Sequence, residues 1–549
     1  MVRPAARVVP PPPVHTGDRG ASSSSPGTRD WVVLAVLCVS LLLVSLDNTV
    51  LNVALPTLVR DLHASDTELQ WIVDAYSIVF AGLLLVAGSL GDRIGRKWVF
   101  LAGLGVFAGG SAASAFSGSP DALIAARAFM GIGSASIMPS TLSILTNVFT
   151  DGAARAKAIG IWSGTTGLGI AIGPIVGGWL LDHFWWGSVF LINVPIAVLG
   201  LVAAVLVVPN SKNPVVSAPD GVGAVTSVVG LGLLLWGIIE APEHSWSSPL
   251  VLAAIAGGLA VLAAFWWWEG RIDHPLLRLE LFASRRFSAA IASMTLVLFT
   301  LLGALFLLTQ YLQFSLGYTA FQTGLRIGPM ALVILVVAPS SSLLVRKLGT
   351  KAVVFTGMAV IAVGMAMISH TTVAGSYGDA LPAFMLVGIG TGLAFAPSTE
   401  SVMGSLPLGQ AGVGAATNST ALQVGGALGV AVLGSLLNTR YQDHLAPVLA
   451  HEPMPAGVHH AIVGSLGGAL TVAQQIGGRL GAALSTVARD AFVSGLDIAC
   501  LVGAVAVGVG ALVVLALLPS RPDGAPGGEP GLDGGSSIAK GRPGGEVRR

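Results

Sequence analysis

One carboxylate stands inside a long apolar stretch near the start of the chain. Asp47 belongs to the segment LDNTVLNVALP (Leu46–Pro56) and to an apolar run that extends from Trp31 to Ala54. A run of about 20 apolar residues is long enough to cross a bilayer as a helix. Because an ionisable side chain within a membrane is costly, such residues usually serve ion, proton or substrate pathways. Asp47 is therefore the first candidate functional residue.

Two other ionisable residues fall at a similar predicted depth. Asp74 lies shortly after the start of the second apolar run, and Arg127 shortly after the start of the fourth. With a helical rise of about 1.5 Å per residue, Asp47 lies about 10 Å, Arg127 about 8 Å and Asp74 about 5 Å from one membrane surface. We predict that these three residues form a proton-coupling group. The alternatives are a purely structural Asp47–Arg127 ion pair and an Asp74 exposed to water at the membrane surface.

The chemistry of this group follows from competing effects on a carboxylate. Burial away from water favours the neutral form of an aspartate, whereas a nearby arginine favours the ionised form. This competition would let Asp47 bind and release a proton as its access to water changes. A cationic substrate bound nearby would favour the ionised form, so that proton and substrate exclude each other.

Glu400 is a candidate in another part of the chain. It follows Pro397 near the end of the twelfth apolar run, towards the membrane surface opposite to the one near Asp47. An acidic side chain that faces a central cavity would attract a cationic compound or carry a second proton. We therefore predict that Glu400 and Asp74 are substrate-binding residues. The alternative for Glu400 is a carboxylate exposed to water at the membrane interface.

The composition is that of a chain that crosses the membrane many times. Of the 549 residues, 53% are hydrophobic and only 10% are charged, whereas soluble proteins have about 25% charged residues. Fourteen apolar runs predict an all-α polytopic membrane protein with 14 transmembrane helices. The net charge of +1 argues against nucleic-acid binding. The two cysteines, Cys38 and Cys500, have neither disulfide nor zinc-site spacing, and we expect no metal and no cofactor.

The loops predict the orientation. Most lysines and arginines outside the apolar runs lie on the side of the N-terminus, and such residues are enriched on the cytoplasmic side of membranes. An even number of spans then places both termini in the cytoplasm, in a multi-pass protein of the plasma (inner) membrane. Residues 1–30 and 519–549 are too polar and too rich in Pro and Gly to bury a core, and we predict disordered tails.

The spans divide into two halves. We predict an N-terminal six-helix bundle over residues 31–208, two inserted helices with linkers over 209–286, and a C-terminal six-helix bundle over 287–518. The fourth and twelfth spans share the pattern GIG followed by PSTLS or PSTES, and weak internal symmetry is typical of transporters built from two halves. The outer segment 438–490 is long for a loop. Two interpretations of this segment remain: a helical hairpin over the outer face, and a loosely ordered loop.

Two glycine-rich motifs are candidates for conformational gating. The loop GSLGDRIGRKWVF after the second span combines glycines, which permit tight turns, with charged residues. Its candidates are Gly88, Gly91, Asp92, Arg93, Gly95, Arg96 and Lys97. The segment GIAIGPIVGG in the fifth span combines small residues, which let helices approach closely, with a proline that bends the helix. Its candidates are Gly169, Gly173, Pro174, Gly177 and Gly178.

These motifs carry a family resemblance. The loop Gly88–Phe100 resembles the signature loop of the major facilitator superfamily. The segments LDNTVLNVALP, LIAARAFMGIG (Leu123–Gly133), GIAIGPIVGG and FLINVP (Phe190–Pro195) are similar to motifs of its fourteen-helix drug:proton antiporters, the QacA and EmrB type. The resemblance covers roughly residues 31–518 and departs at WWGS (Trp185–Ser188), where the family usually has a Trp-Arg-Trp cluster. The tenth span also lacks the carboxylate that some members handling dications carry.

The resemblance implies a fold and an activity. The fold would be the major facilitator fold, with two six-helix bundles and two extra central helices. The activity would be alternating-access efflux of a hydrophobic or cationic small molecule in exchange for protons, driven by the proton motive force, by a monomer in the lipid bilayer. A dedicated exporter of a single endogenous metabolite or antibiotic is the alternative. An enzyme would need converging nucleophile, base or metal ligands, and the sequence shows no such pattern.

Overall fold

A computed structural model describes residues 27–212, 220–272, 275–405, 411–449 and 454–519. Across these residues the secondary structure is helical without any β-strand, and 14 helices are long and apolar enough to cross a membrane. The predicted all-α, fourteen-helix class is confirmed.

We number the membrane-spanning helices in chain order. They are α1 Thr28–Leu62, α2 Asp66–Ile94, α3 Arg96–Ala115, α4 Pro120–Val148, α5 Gly152–His183, α6 Ser188–Val207, α7 Gly221–Ile239, α8 Pro249–Glu269, α9 Arg285–Ser315, α10 Ala320–Leu348, α11 Thr350–Ile368, α12 Tyr377–Gly404, α13 Ala411–Leu449 and α14 Gly478–Leu517. Helix α6 is interrupted at Ile192, between the segments Ser188–Leu191 and Asn193–Val207.

Local chemistry explains why the helices begin and end where they do. Helix α2 starts with a capping box, in which the Ser65 hydroxyl accepts from the Glu68 N–H and the Glu68 carboxylate accepts from the Ser65 N–H. Helices α2 and α3 meet at Gly95, whose φ of 123° is unfavourable for residues with a side chain. Such short, capped connections keep consecutive helices adjacent.

The described part of the outer segment 438–490 is mostly helical. Helix α13 continues to Leu449, and α14 begins at Gly478. Between them lie two short helices, Ala456–Gly464 and Leu466–Ile476. The first is tied to α13 by the Tyr441 hydroxyl, which donates to the Ile462 carbonyl over 2.9 Å. These short helices pack over the same side of the molecule at which α1 ends, because Gly467 lies beside Val59.

The helices pack in two groups along the chain. In the first group α1 packs on α5, and α4 packs on both α2 and α3; in the second, α9 packs on α13, and α12 packs on both α10 and α11. Helices α7 and α8 pack on each other, and α7 also contacts α2 and α13. The two groups meet where α2 packs on α13 and α5 packs on α10.

The two groups touch closely at the side where α1 ends. There Gly178 of α5 lies against the backbone of Ala320 and Phe321 in α10, and the Gln313 amide donates to the Val53 carbonyl over 2.9 Å. Nearer the opposite side, Gly164 of α5 has open space around it, with no atom within 4 Å of an added Cβ. The seam between α5 and α10 is therefore closed where α1 ends. Towards the end where α1 begins, residues 161–168 of α5 and 335–344 of α10 are mostly exposed or half-buried, so the seam is looser there.

Gly178→Val should weaken this closed seam. An added Cβ would lie 2.5 Å from the Ala320 carbonyl oxygen and 2.6 Å from the Phe321 Cα, and backbone atoms cannot yield as a flexible side chain does. Overpacking of this kind costs about 1–3 kcal/mol, which would reduce the closed population about tenfold. Distances between spin labels on the outer ends of α5 and α10 would measure the opening.

Gly164→Val is the matched control, because the same substitution in the same helix meets open space. Its distance distribution should match that of the parent protein. Equal distributions for Gly178→Val and the parent would show that the α5–α10 contact does not hold the seam.

Candidate functional site

The structure brings Asp47 and Arg127 together as a buried ion pair. Arg127 Nη1 donates to Asp47 Oδ2 over 2.5 Å, and both side chains are about 1% exposed. Asp47 lies on α1, and Arg127 lies on α4, 80 residues further along the chain. A buried charge is tolerated only when it is paired and hydrogen-bonded, so each residue accounts for the presence of the other.

The rest of the Arg127 guanidinium is also satisfied. Its Nε donates to the Ile72 carbonyl of α2 over 3.1 Å. Its Cζ lies 4.3 Å from the centre of the Tyr76 ring, where a cation is attracted by the electron-rich face. Two consecutive turns of α2 therefore position the arginine, and the Asp47 carboxylate of α1 balances its positive charge.

Tyr76 joins this pair to further polar side chains. Its hydroxyl donates to Ser134 Oγ of α4 over 2.7 Å, and the Asn48 amide of α1 lies 3.4 Å from the same hydroxyl. The network thus ties α1, α2 and α4 through hydrogen bonds at one level of the bundle.

Asn193 is a site residue that sequence reasoning missed. Its Nδ2 lies 3.1 Å from Asp47 Oδ1 and 3.2 Å from Ser111 Oγ, and the residue is 2% exposed. Asn193 belongs to the segment FLINVP, which carried the family resemblance but no assigned role. The available signal was a carboxamide in an otherwise apolar span.

Asp74 is buried but does not bond to the pair. It is 0% exposed, and neither carboxylate oxygen has a hydrogen-bond partner among the described residues. One turn before it, Gln70 accepts from Ser435 of α13, and one turn after it, Ile78 packs with Ala431 of α13. Asp74 therefore faces α13 across the seam between the two helix groups, and it is not exposed to water at the membrane surface.

Glu400 lies apart from these residues. It is exposed near the end of α12, in the second helix group. Its neighbour Ser398 is buried and shares a hydrogen bond of 2.8 Å with Ser293 of α9. Glu400 is accessible from the side at which α1 begins, where the seam is looser.

The loop after α2 ties three helix ends together. Asp92 pairs with Arg96 over 2.8 Å, and Arg96 Nη1 donates to the Ser143 carbonyl of α4 over 3.2 Å. Lys97 Nζ donates to the Val205 carbonyl of α6 over 2.8 Å. Of the other candidates, Gly88 lies against Pro139 of α4, Gly91 against Ser140, and Arg93 is exposed.

The small residues of α5 lie between α1 and α10. On one face Gly169 and Gly177 approach Ser45 and Val50 of α1, and Gly173 approaches Thr49, whose hydroxyl lies 3.3 Å from the Gly169 carbonyl. On the other face Gly178 and Pro174 meet α10, where Gly324 lies against the Pro174 carbonyl. Along α1, the contacts with α5 therefore lie both before and after Asp47 in the sequence.

The chain matches the Major Facilitator Superfamily over residues 37–430. It is 36% identical over 497 residues to the multidrug efflux pump LfrA of Mycolicibacterium smegmatis, covering 90% of this chain and 97% of that protein. It is 34% identical over 501 residues to the tetracenomycin C resistance and export protein of Streptomyces glaucescens, covering 90% of this chain and 93% of that protein.

A solved structure has the same fold. It is a bacterial homologue of the human lysosomal transporter Spinster, inward-facing and unoccupied, with a TM-score of 0.62 and 17% identity, covering 90% of this chain and 100% of that chain. Fold and buried site together define a multi-pass membrane transporter. The chain belongs to the Major Facilitator Superfamily, and the resemblance to its drug:proton antiporters is confirmed.

Arg127→Met should destabilise the protein by about 3 kcal/mol, because it leaves the Asp47 carboxylate buried and unpaired. Chemical denaturation of the purified protein in detergent would measure the loss. The double variant Asp47→Asn/Arg127→Met, which removes both charges, should recover most of the stability. A double variant as unstable as Arg127→Met would mean that the ion pair is not the source of the effect.

Proposed function

We propose that this transporter exports hydrophobic, cationic drugs across the plasma membrane in exchange for protons, by alternating access. The buried Asp47–Arg127 pair is the observation that carries the proposal. A carboxylate in this position holds a proton at the expense of its ion pair with Arg127, and the full ion pair returns when the proton leaves. That exchange is the chemical step of a proton-coupled cycle.

The energy comes from proton entry. One charge moved across the membrane potential supplies about 2.3 kcal/mol per 100 mV. In the proposed cycle Asp47 takes up a proton when the outer side is open and releases it when the inner side is open. A cationic substrate near Asp47 favours the ionised carboxylate, so that the proton and the drug occupy the site in alternation.

Asp74 is the proposed second proton carrier. A buried carboxylate without a hydrogen-bond partner is far less costly when it is neutral. Asp74 faces α13 across the seam, so separation of α2 from α13 would expose it to water and allow it to ionise. In this scheme the closed contact between α2 and α13 retains a proton on Asp74. Separation of the two helices lets that proton exchange with the outside.

The proposed orientation places both termini in the cytoplasm. The supporting observation is the excess of Lys and Arg in the loops on the side where α1 begins. The looser side of the α5–α10 seam then faces the cytoplasm, and Glu400 lies where a cationic drug would enter. We propose a monomer as the working unit.

The second candidate is an exporter dedicated to one compound. It is favoured by the likeness to a protein whose name specifies tetracenomycin C, at 34% identity. The same proton chemistry would serve either exporter. A panel of dyes and antibiotics in efflux assays separates the two: efflux of many cations supports the broad exporter, and efflux of one compound class supports the dedicated one.

Asp47→Asn should abolish proton-driven efflux, because the asparagine amide cannot carry a proton. In proteoliposomes with an imposed pH gradient, we expect uphill transport to fall at least 100-fold, and substrate-induced proton release from the purified protein to be lost. Substrate binding should remain measurable.

Asp121→Asn is the matched control, because it removes an exposed carboxylate at the start of α4. It should transport like the parent protein. If Asp47→Asn accumulated substrate against its gradient as well as the parent, Asp47 would not be the proton carrier.

A further inference from the structure

The amide nitrogen of Asn193 lies between two oxygens of different character. Its Nδ2 contacts Asp47 Oδ1 at 3.1 Å and Ser111 Oγ at 3.2 Å. Asn193 is 2% exposed and Ser111 is 0% exposed. A carboxamide nitrogen carries two hydrogens, so these two contacts use the whole donor capacity of Asn193.

The chemistry of the neighbours determines which way the amide points. An ionised carboxylate can only accept hydrogen bonds, and a hydroxyl has one hydrogen to donate. The Ser111 hydroxyl donates its hydrogen to the Phe190 carbonyl over 2.8 Å. Towards Asn193 it can only accept, so the amide must present its N–H groups, not its oxygen, to both neighbours.

This arrangement suits Asp47 in its ionised form. Oδ2 accepts from Arg127 and Oδ1 accepts from Asn193. A proton on Oδ1 or Oδ2 that pointed along either of these contacts would meet an N–H hydrogen of Asn193 or Arg127. To accommodate neutral Asp47, the Asn193 amide can rotate by half a turn and offer its oxygen. The Ser111 hydroxyl would then leave Phe190 and donate to the same amide oxygen.

We propose that Asn193 is a positioning residue which, together with Ser111, favours proton release from Asp47 and reverses its amide when the proton binds. The inference rests on the proposed role of Asp47 as proton carrier. Because Phe190 and Asn193 lie on either side of the interruption at Ile192, the rearranged hydrogen bonds would act on α6 at its least regular point.

Infrared titration of the full-length protein in detergent tests the inference. The neutral-carboxyl band of Asp47 is identified by its absence in Asp47→Asn. In Asn193→Ala both forms of Asp47 lose a hydrogen bond, but the bond to the ionised form is the stronger one, so Asp47 should keep its proton to higher pH. A hydrogen bond to a charged group predicts a midpoint about one pH unit higher. The pH profile of efflux should move in the same direction, which a merely structural role would not cause.

Two further variants keep the test decisive. Asn52→Ala removes a buried amide from α1 that donates to the Asn48 carbonyl, and its Asp47 midpoint should equal that of the parent. Ser111→Ala removes the acceptor that orients Asn193, so a smaller upward shift is expected, and this variant serves where Asn193→Ala fails to fold.

The outcomes separate this inference from the proposed function. Unchanged or lowered midpoints in Asn193→Ala, or in Ser111→Ala where only that variant folds, would overturn the role of Asn193. Loss of coupling in Asp47→Asn would leave the proposed function intact in that case. Normal coupling in Asp47→Asn would overturn the proposed function itself.

Discussion

A charge pair buried among apolar helices is the constraint on which the first half of this transporter depends. Asp47 and Arg127 come from α1 and α4, and each would be very costly without the other. The pair is enclosed by Ile72 and Tyr76 of α2 and by Asn193 of α6. Four helices are thereby held in register by polar contacts that the apolar surroundings make obligatory.

Helix α5 connects this pair to the second half of the molecule. Its small residues allow α1 to approach on one face and α10 on the other, so that backbone meets backbone at Gly178 and Gly324. Helix α5 therefore lies between α10 and the part of α1 that carries Asp47. Close packing makes such a seam bistable and not continuously deformable, which suits a protein that alternates between two forms.

Two aspartates on neighbouring helices meet different environments. The Asp47 carboxylate accepts hydrogen bonds from Arg127 and Asn193, whereas the Asp74 carboxylate lacks a hydrogen-bond partner within the described structure. The first environment stabilises a negative charge, and the second penalises it. The same residue type is therefore suited to opposite charge states in one conformation, one within a bundle and the other at the interface between bundles.

The sequence by itself determined the number of spans and their approximate positions, and it predicted a depth for each buried charge, because hydropathy and a fixed rise per residue do not depend on packing. Depth was enough to predict that Asp47 and Arg127 meet. Rotation about the helix axes was decided only by tertiary structure. Residues two apart on a helix do not share a face, so Tyr76 turns towards Arg127 while Asp74 turns towards α13. The position of Asn193 likewise depends on the interruption of α6, which the apolar pattern does not reveal.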